Sequence, residues 1–548
     1  MSPGNCCPEF HVVGERDLRR GARVPDVSLF LPHRALPPIW SSPPAPMHLA
    51  RDQTPLWAQR ASARPSRLAA TLPYALAFAV LFNVGILSTF SLLVLLLPLA
   101  YIAPTRLAYL RWGKGTFGRL LVLVLRLLSP TEVVLSAGQG VERDWVERDD
   151  EGKASKLKLP PKVVWVSNHT TLADWLYLWS FAYLSGHSSA LYIALKASLR
   201  RIPIIGWACH LFGFAFLERK WDQDRAPFAA QLGRIAEETN RGGEEERMAF
   251  LLFPEGTIVT ENTRGVSKRF ADKSGGEARL SCVLEPWQST DPSTPLRPVT
   301  DFKHLLLPRS TGLFFALRKL ARTIPTLHLL DTTVGYPLPR PSPPSGAEPA
   351  PPQYASEFYT LPSLLLQGIP PPELHLHVRA FALRDIPLGD LSCGSEGDED
   401  GTPGERQAFE RWLRDRWAEK DALLERFRTE GSFVASGGND DDDDDDDDDE
   451  RRPGEVSWPV NLRHPLWEAP AAFAFFLPFV ALFALWHWRR ALLTLALASL
   501  GRRLGTQGGE HGWEDPIVGR DCPCAGRGLE APAPALTPGA VDKLAGEL

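Results

Sequence analysis

From Leu72 to Ile102 the chain runs 31 residues without a charged side chain. About 20 apolar residues are enough to span the hydrocarbon core as a helix, and a soluble helix of that length normally keeps one polar face. The stretch therefore predicts a membrane segment within residues 71–130 and confines any sizeable water-exposed domain to the residues C-terminal to it. Asn83-Val84-Gly85 interrupts its middle and Pro98 bends its end, so a single crossing and a re-entrant hairpin both fit. Phe117 to Leu128 comes next, with Leu and Val around Arg119 and Arg126. It reads as a short interfacial helix, with a core helix of the following domain as the alternative. Ala469 to Trp488 is a second apolar span, bordered by Trp467, Trp486 and Trp488 where interfacial aromatics sit. Within 466–503, Arg489-Arg490 and a shorter apolar run, Ala491 to Leu500, leave a hairpin and a single crossing open.

Composition separates the rest. Residues 1–70 are rich in Pro, Arg and Ser, lack the basic-then-apolar start of a secretory signal, and read as disordered. Asp440 to Asp449 with Glu450 supply eleven of the negative charges behind a net −5, so the remainder is mildly basic, −5 + 11 = +6. That run must be solvated and extended by its own repulsion, which makes 431–465 an acidic disordered linker. Residues 504–548 read as a disordered tail. The seven Cys are scattered, without zinc-ligand spacing or an even framework, so neither a structural metal nor a disulfide scaffold is expected. A nucleic-acid partner is not expected either.

Between 131 and 430 apolar runs alternate in type. Lys162–Ser167, Phe214–Leu217, Ala249–Phe253 and Thr326–Thr333 read as strands, and Leu172–Leu184, Phe228–Asn240 and Gly312–Arg322 as helices. That alternation predicts an α/β domain with a mainly parallel sheet and flanking helices, between N-terminal and C-terminal membrane-embedded helices. Glu373 to Phe381 adds a strand, whose His375 and His377 read as surface histidines. Glu405 to Phe427 is an amphipathic helix with Phe409, Leu413, Trp417, Leu424 and Phe427 near one face. Lys273 to Pro308 reads as a surface loop.

The chemistry concentrates where strands end. Val163 to Val166 breaks at Ser167-Asn168, turn-favouring residues, and delivers His169, with Asp174 five residues on. Five residues along one continuous helix would point the two about 140° apart, so a touching pair requires His169 in the turn ahead of the helix. A second apolar strand ends in Arg219-Lys220, and a guanidinium offers phosphate a planar fork of donors. A third runs into Pro254-Glu255-Gly256-Thr257, where glycine allows backbone amides close to a bound group. A fourth apolar run reaches Pro308. No Gly-x-Ser-x-Gly elbow, the mark of a lipid hydrolase, occurs in the chain.

In this order, Asn168-His169 with Asp174, then Arg219, then Phe253-Pro-Glu-Gly-Thr257, then Pro308 resembles the four motifs of the glycerolipid acyltransferase superfamily. Arg219-Lys-Trp-Asp-Gln-Asp224 and Asp331-Thr-Thr-Val-Gly-Tyr-Pro337 resemble its lysocardiolipin and lysophosphatidylinositol acyltransferase branch. The resemblance covers roughly 70–430 and both membrane segments. It implies O-acyl transfer from acyl-CoA to the hydroxyl of a lysophospholipid, with His169 as base and Asp174 orienting it. Asn168, Arg219, Glu255, Gly256, Thr257 and Pro308 would contact substrate, with Arg219 and the Glu-Gly-Thr turn at the headgroup phosphate. Acyl-CoA would act as co-substrate, with no resident cofactor or metal, in a lipid bilayer, here that of the endoplasmic reticulum. Arginines at 489–490 and 502–503 favour a cytosolic end, so a single crossing would part the catalytic domain from cytosolic acyl-CoA; this favours the hairpin. A transacylase using phospholipid as donor, and a silent membrane scaffold of the same fold, are the alternatives.

Overall fold

A computed structural model of the chain describes residues 54–243, 246–284, 301–340, 352–391, 398–435 and 454–505. The Asp440–Asp449 run, residues 1–53 and the tail beyond 505 lie outside them. The strands are β1 (Glu132–Ala137), β2 (Val146–Arg148), β3 (Ala154–Leu157), β4 (Lys162–Ser167), β5 (Leu191–Lys196), β6 (Ala215–Leu217), β7 (Met248–Leu252), β8 (His328–Gly335), β9 (Glu373–Ala382) and β10 (Glu455–Pro459). The helices are α1 (Leu68–Leu95), α2 (Ala103–Leu128), α3 (Asp174–Leu184), α4 (Ile205–Leu211), α5 (Trp221–Arg241), α6 (Glu261–Leu284) and α7 (Ser310–Ala321). After them come α8 (Ala355–Phe358), α9 (Leu361–Leu365), α10 (Pro403–Glu430), α11 (Pro465–Ala471) and α12 (Leu477–Gly505).

Eight strands make one sheet, ordered β10-β1-β9-β8-β4-β7-β5-β6. From β8 to β6 every pairing is parallel. β9 runs antiparallel to β8, β1 parallel to β9, and β10 antiparallel to β1. β4 and β7 are buried along their whole length, as strands covered on both faces require. The period of two sorts their side chains: Val163 and Trp165 join the core under α2 and α3, Val164 and Val166 the core under α5, α7 and α10. After β4 the chain crosses to β5 and β6, returns to place β7 beside β4, and adds β8 on β4's other side. β4 thus stands where strand order reverses, and the crevice beyond its C-terminal end is where open α/β sheets bind ligands.

Several expectations change. α2 starts at Ala103, and Leu120, Leu121, Val122, Val124 and Leu125 are all at most 1% exposed. Phe117–Leu128 is therefore a core helix, not an interfacial one, because its apolar residues surround the axis instead of forming one stripe. α1 runs unbroken through Asn83-Val84-Gly85, with the Asn83 side-chain amide donating to the Ala79 carbonyl over 2.6 Å. α12 is likewise one helix through Arg489-Arg490, in place of the favoured hairpin. Both are long and apolar enough to cross a membrane. Part of the expected N-terminal disorder is structured too: Arg64 donates to Ser363 Oγ and to the Phe358 carbonyl, each over 2.7 Å.

The domain also extends past residue 430. β10, inside the expected linker, completes the sheet on β1 with Val456 and Trp458 buried. The first part of the expected loop from Lys273 belongs to α6. His375 and His377 are buried at 4% and 8% exposure, because β9 lies between β1 and β8 and α10 covers it. The His375 ring packs 4.8 Å from Phe427, and His377 Nδ1 lies 3.0 Å from Ser136 Oγ. α10 opens with a Thr402/Glu405 capping box and buries the apolar face expected of it against the α/β layers.

Candidate active site

His169 leaves the C-terminal end of β4 in a turn, and Asp174 is the first residue of α3. His169 Nδ1 lies 2.9 Å from Asp174 Oδ2. Oδ2 also accepts the Thr170 and Thr171 backbone amides at 2.7 and 3.0 Å. Oδ1 accepts Thr171 Oγ1 and the Tyr336 hydroxyl at 2.9 and 2.8 Å. A carboxylate held by so many donors has one orientation. It can only accept, so His169 Nδ1 is the donor and Nε2 is left without a protein partner among the described residues. The imidazole stacks on Phe253, centroids 4.3 Å apart, with its side chain 17% exposed. Burial pushes the Tyr336 hydroxyl well above its usual range, with Asp174 adding to the effect, so it remains a donor.

Asn168 faces β8. It is fully buried, its Oδ1 accepting the Val334 amide at 2.8 Å and its Nδ2 donating to the Val334 carbonyl at 3.0 Å. Its amide thereby ties the β4 turn to β8. Glu255 is buried as well, at 3% exposure. Its two oxygens face the His169 and Leu306 amides, each at 3.4 Å, and not Arg219. Burial pushes its carboxyl up to about 8, against the pull of those amides and of Lys420. Glu255 therefore links the His169 turn to the segment before Pro308. Two more bonds tighten this: the Val259 amide donates to the His169 carbonyl and the Arg309 amide to the Pro254 carbonyl, both over 2.9 Å. Pro308 is buried within that junction, and Thr257 is half-buried on the loop leading to Val259.

Arg219 lies at the end of β6, exposed, with φ +66. That left-handed backbone is unfavourable for any residue but glycine. Asp224 enforces it by accepting the amides on either side, Glu218 at 2.7 Å and Lys220 at 3.1 Å. Gly256 has φ +70, which suits glycine alone, and a Cβ there would sit 3.5 Å from Arg309 Nε. Arg309 therefore lies over the Pro-Glu-Gly turn. Partial burial and the like charge of Arg309 together hold the Arg219 guanidinium below its ordinary range. Two neighbouring arginines make a site for an anion with several oxygens.

Tyr336, Thr171, Phe253, Asp224 and Arg309 are the residues that spacing alone did not single out. Arg309 carried a signal, since it directly follows Pro308 and precedes a helix. Tyr336 carried one only through the Asp331–Pro337 resemblance, and nothing in the sequence pointed it at Asp174, more than 160 residues away in the chain.

The His–Asp pair thus lies at the strand-order reversal of an α/β sheet, on the same end as Arg219 and Arg309. Residues 153–329 match the acyltransferase family and 400–455 the acyltransferase C-terminus. The chain is 30% identical over 325 residues to an uncharacterized acyltransferase of Schizosaccharomyces pombe, covering 59% of this chain and 76% of that one. It is 29% identical to 2-acyl-1-lysophosphatidylinositol acyltransferase of Saccharomyces cerevisiae, with the same shares covered. To lysocardiolipin acyltransferase 1 of Danio rerio it is 27% identical, over 61% of this chain and 65% of the relative. The chain belongs to the acyltransferase family, within its glycerolipid superfamily, and is an acyltransferase.

Proposed function

We propose that this acyltransferase moves an acyl group from acyl-CoA to the free hydroxyl of an anionic lysophospholipid, with His169 as general base. The observation that carries the mechanism is the His169–Asp174 pair, with Nδ1 held by the carboxylate and Nε2 without a protein partner among the described residues. Nε2 takes the acceptor hydroxyl proton as that oxygen attacks the thioester carbonyl. The carbon–sulfur bond then breaks, and the proton passes from Nε2 to the departing CoA thiolate. Asp174 fixes the tautomer and stabilises the imidazolium formed between those steps. A base placed in this way is worth about 10²–10⁴-fold in rate.

Arg219 and Arg309 bind the headgroup phosphate, beside Gly256 and Thr257. Glu255 and Asn168 hold this arrangement together without touching substrate, and Pro308 shapes the junction below Arg309. α1 and α12 embed the enzyme in a bilayer, where a two-tailed product stays after reaction; an endoplasmic reticulum membrane fits lipid synthesis. Acyl-CoA enters as co-substrate, with no resident cofactor. The names of the relatives support lysophosphatidylinositol, lysocardiolipin and lysophosphatidic acid as acceptors to try first. The test is purified protein with acyl-CoA and a panel of lysophospholipids. The reading requires acylation of at least one anionic acceptor, and no turnover on any of them would refute it.

A further inference from the structure

Outside α1 and α12, and besides the smaller groups Tyr101–Ile102, Val266–Phe270 and Leu466–Trp467, four exposed large apolar side chains share one short segment. Leu199, Ile202, Ile205 and Trp207 are 37%, 40%, 42% and 58% exposed. They lie on the 3-10 turn Ala197–Arg201, the following bend, and the start of α4. Single exposed apolar residues are ordinary, but a contiguous group marks an interaction surface. The backbone is shaped to hold them outward. Ile204 has φ +64 and ψ −59, the centre of a γ-turn closed by the Ile205 amide on the Pro203 carbonyl over 2.7 Å, a strained conformation for a β-branched residue. Gly206 is buried so tightly that a Cβ would sit 2.4 Å from the Arg200 carbonyl oxygen.

We infer that Leu199–Trp207 is a third membrane contact, seated in the headgroup region of an anionic leaflet. Continuity with the long apolar helices argues for a bilayer as the occupant. The Trp207 ring lies 6.3 Å from that of Phe90 on α1. Two residues from Phe90, Ser88 Oγ accepts the Phe475 amide just before α12. The patch thus adjoins the point where both helices meet the domain. Charge argues for the same occupant: Lys196, Arg200 and Arg201 are exposed, and no Asp or Glu occurs from Leu191 to Leu217. Basic residues beside Trp and aliphatic side chains bind anionic lipid surfaces.

The placement has a consequence for the site. The segment leaves the C-terminal end of β5, which is parallel to β7 and, through it, to β4. It therefore flanks the same end of the sheet as His169 and Arg219. Seating it on lipid brings the mouth of the site to headgroup level, so that a lysophospholipid reaches Nε2 without leaving its leaflet. This last step rests on the proposed function; the membrane contact itself does not.

The test uses the full chain reconstituted in phosphatidylcholine vesicles with and without phosphatidylserine. A photoreactive p-benzoylphenylalanine replaces Ile202, and in a control replaces Glu237, an exposed residue of α5. The inference predicts lipid adducts at position 202, more of them with phosphatidylserine, and few at 237. Equal labelling at both positions, or adducts at 202 to protein in place of lipid, would overturn it. A second arm measures acyl transfer by the Arg200→Glu/Arg201→Glu variant. Reversal of two surface charges should lower turnover of vesicle-borne acceptor about ten-fold or more, with a short-chain, water-soluble acceptor unaffected. Equal loss on both acceptors would contradict the surface role. If position 202 labels with lipid but the parent protein acylates nothing, the membrane contact stands and the proposed function falls.

Discussion

His169 Nδ1 and Asp174 Oδ2 meet at 2.9 Å, although side chains five residues apart on one helix would diverge by about 140°. They meet because α3 begins at Asp174 and His169 stays in the turn before it. The Tyr336 hydroxyl and the Thr170 and Thr171 amides then fix the carboxylate from other sides. Asp174→Asn would keep the shape while presenting a donor to donors and spoiling the His169 tautomer. By comparison with Asp-to-Asn changes in hydrolase triads, kcat should fall about 10³–10⁴-fold. Tyr336→Phe removes one hydrogen bond and should lower kcat about ten-fold. Steady-state kinetics on both variants, with KM nearly unchanged, checks this.

A different signature is expected of the arginines. Arg219→Ala and Arg309→Ala should each cut kcat/KM for the lysophospholipid about 10–100-fold, the worth of a charged hydrogen bond. The loss should fall mainly on the acceptor KM and leave the KM for acyl-CoA nearly as it was. Arg309→Lys should recover only part, because an ammonium lacks the planar fork. Equal effects on both substrates' KM values would place the pair elsewhere in the reaction.

How far the residues themselves announced this arrangement depended on the range of each interaction. β4, β7 and β8 were legible because strands buried on both faces must be apolar throughout, and α10 because one face repeats at helical spacing. Arg219 and Gly256 were legible as strand-end residues. What local pattern could not show was long-range. β10 was lost because it follows an acidic run, although its Val456 and Trp458 alternate as a strand should. His375 and His377 looked like surface residues because Phe427 of α10 and Phe433 just after it cover them from a later part of the chain. Asn168 and Glu255 looked like substrate ligands, yet their partners are backbone groups of Val334, His169 and Leu306. Polar residues at a strand end serve a junction or a ligand equally well until the opposite wall is in place.

Glu255 makes the pH dependence specific. Its carboxyl is raised by burial to about 8, while an unfolded chain titrates it near the ordinary value of about 4.3. The folded state therefore holds this proton more tightly. The stability it contributes is complete below the unfolded pKa and is lost as pH rises through the folded one. Glu255→Gln cannot lose a proton, so its melting temperature should fall less than that of the parent between pH 5 and pH 8.5. Parallel melting curves for the two proteins across that range would contradict the assignment.

Lys420 secures α10 to the sheet. It is fully buried, donating to Asp331 and, over 2.7 Å, to the Thr332 carbonyl, while Arg379 donates to the other Asp331 oxygen. Lys420→Met removes one member of a buried ionic group, a change that typically costs about 3–5 kcal/mol. Thermal or denaturant unfolding should show that loss. Lys420→Met/Asp331→Asn should recover part of it, since the uncompensated charge is then gone.

The most direct measurement follows labelled acyl-CoA into phospholipid in membranes carrying either the parent protein or His169→Ala at equal expression. Transfer to an anionic lysophospholipid by the parent, with loss of at least about 10²-fold in the variant, is the result predicted for a His169 general base. Full transfer by His169→Ala would contradict it.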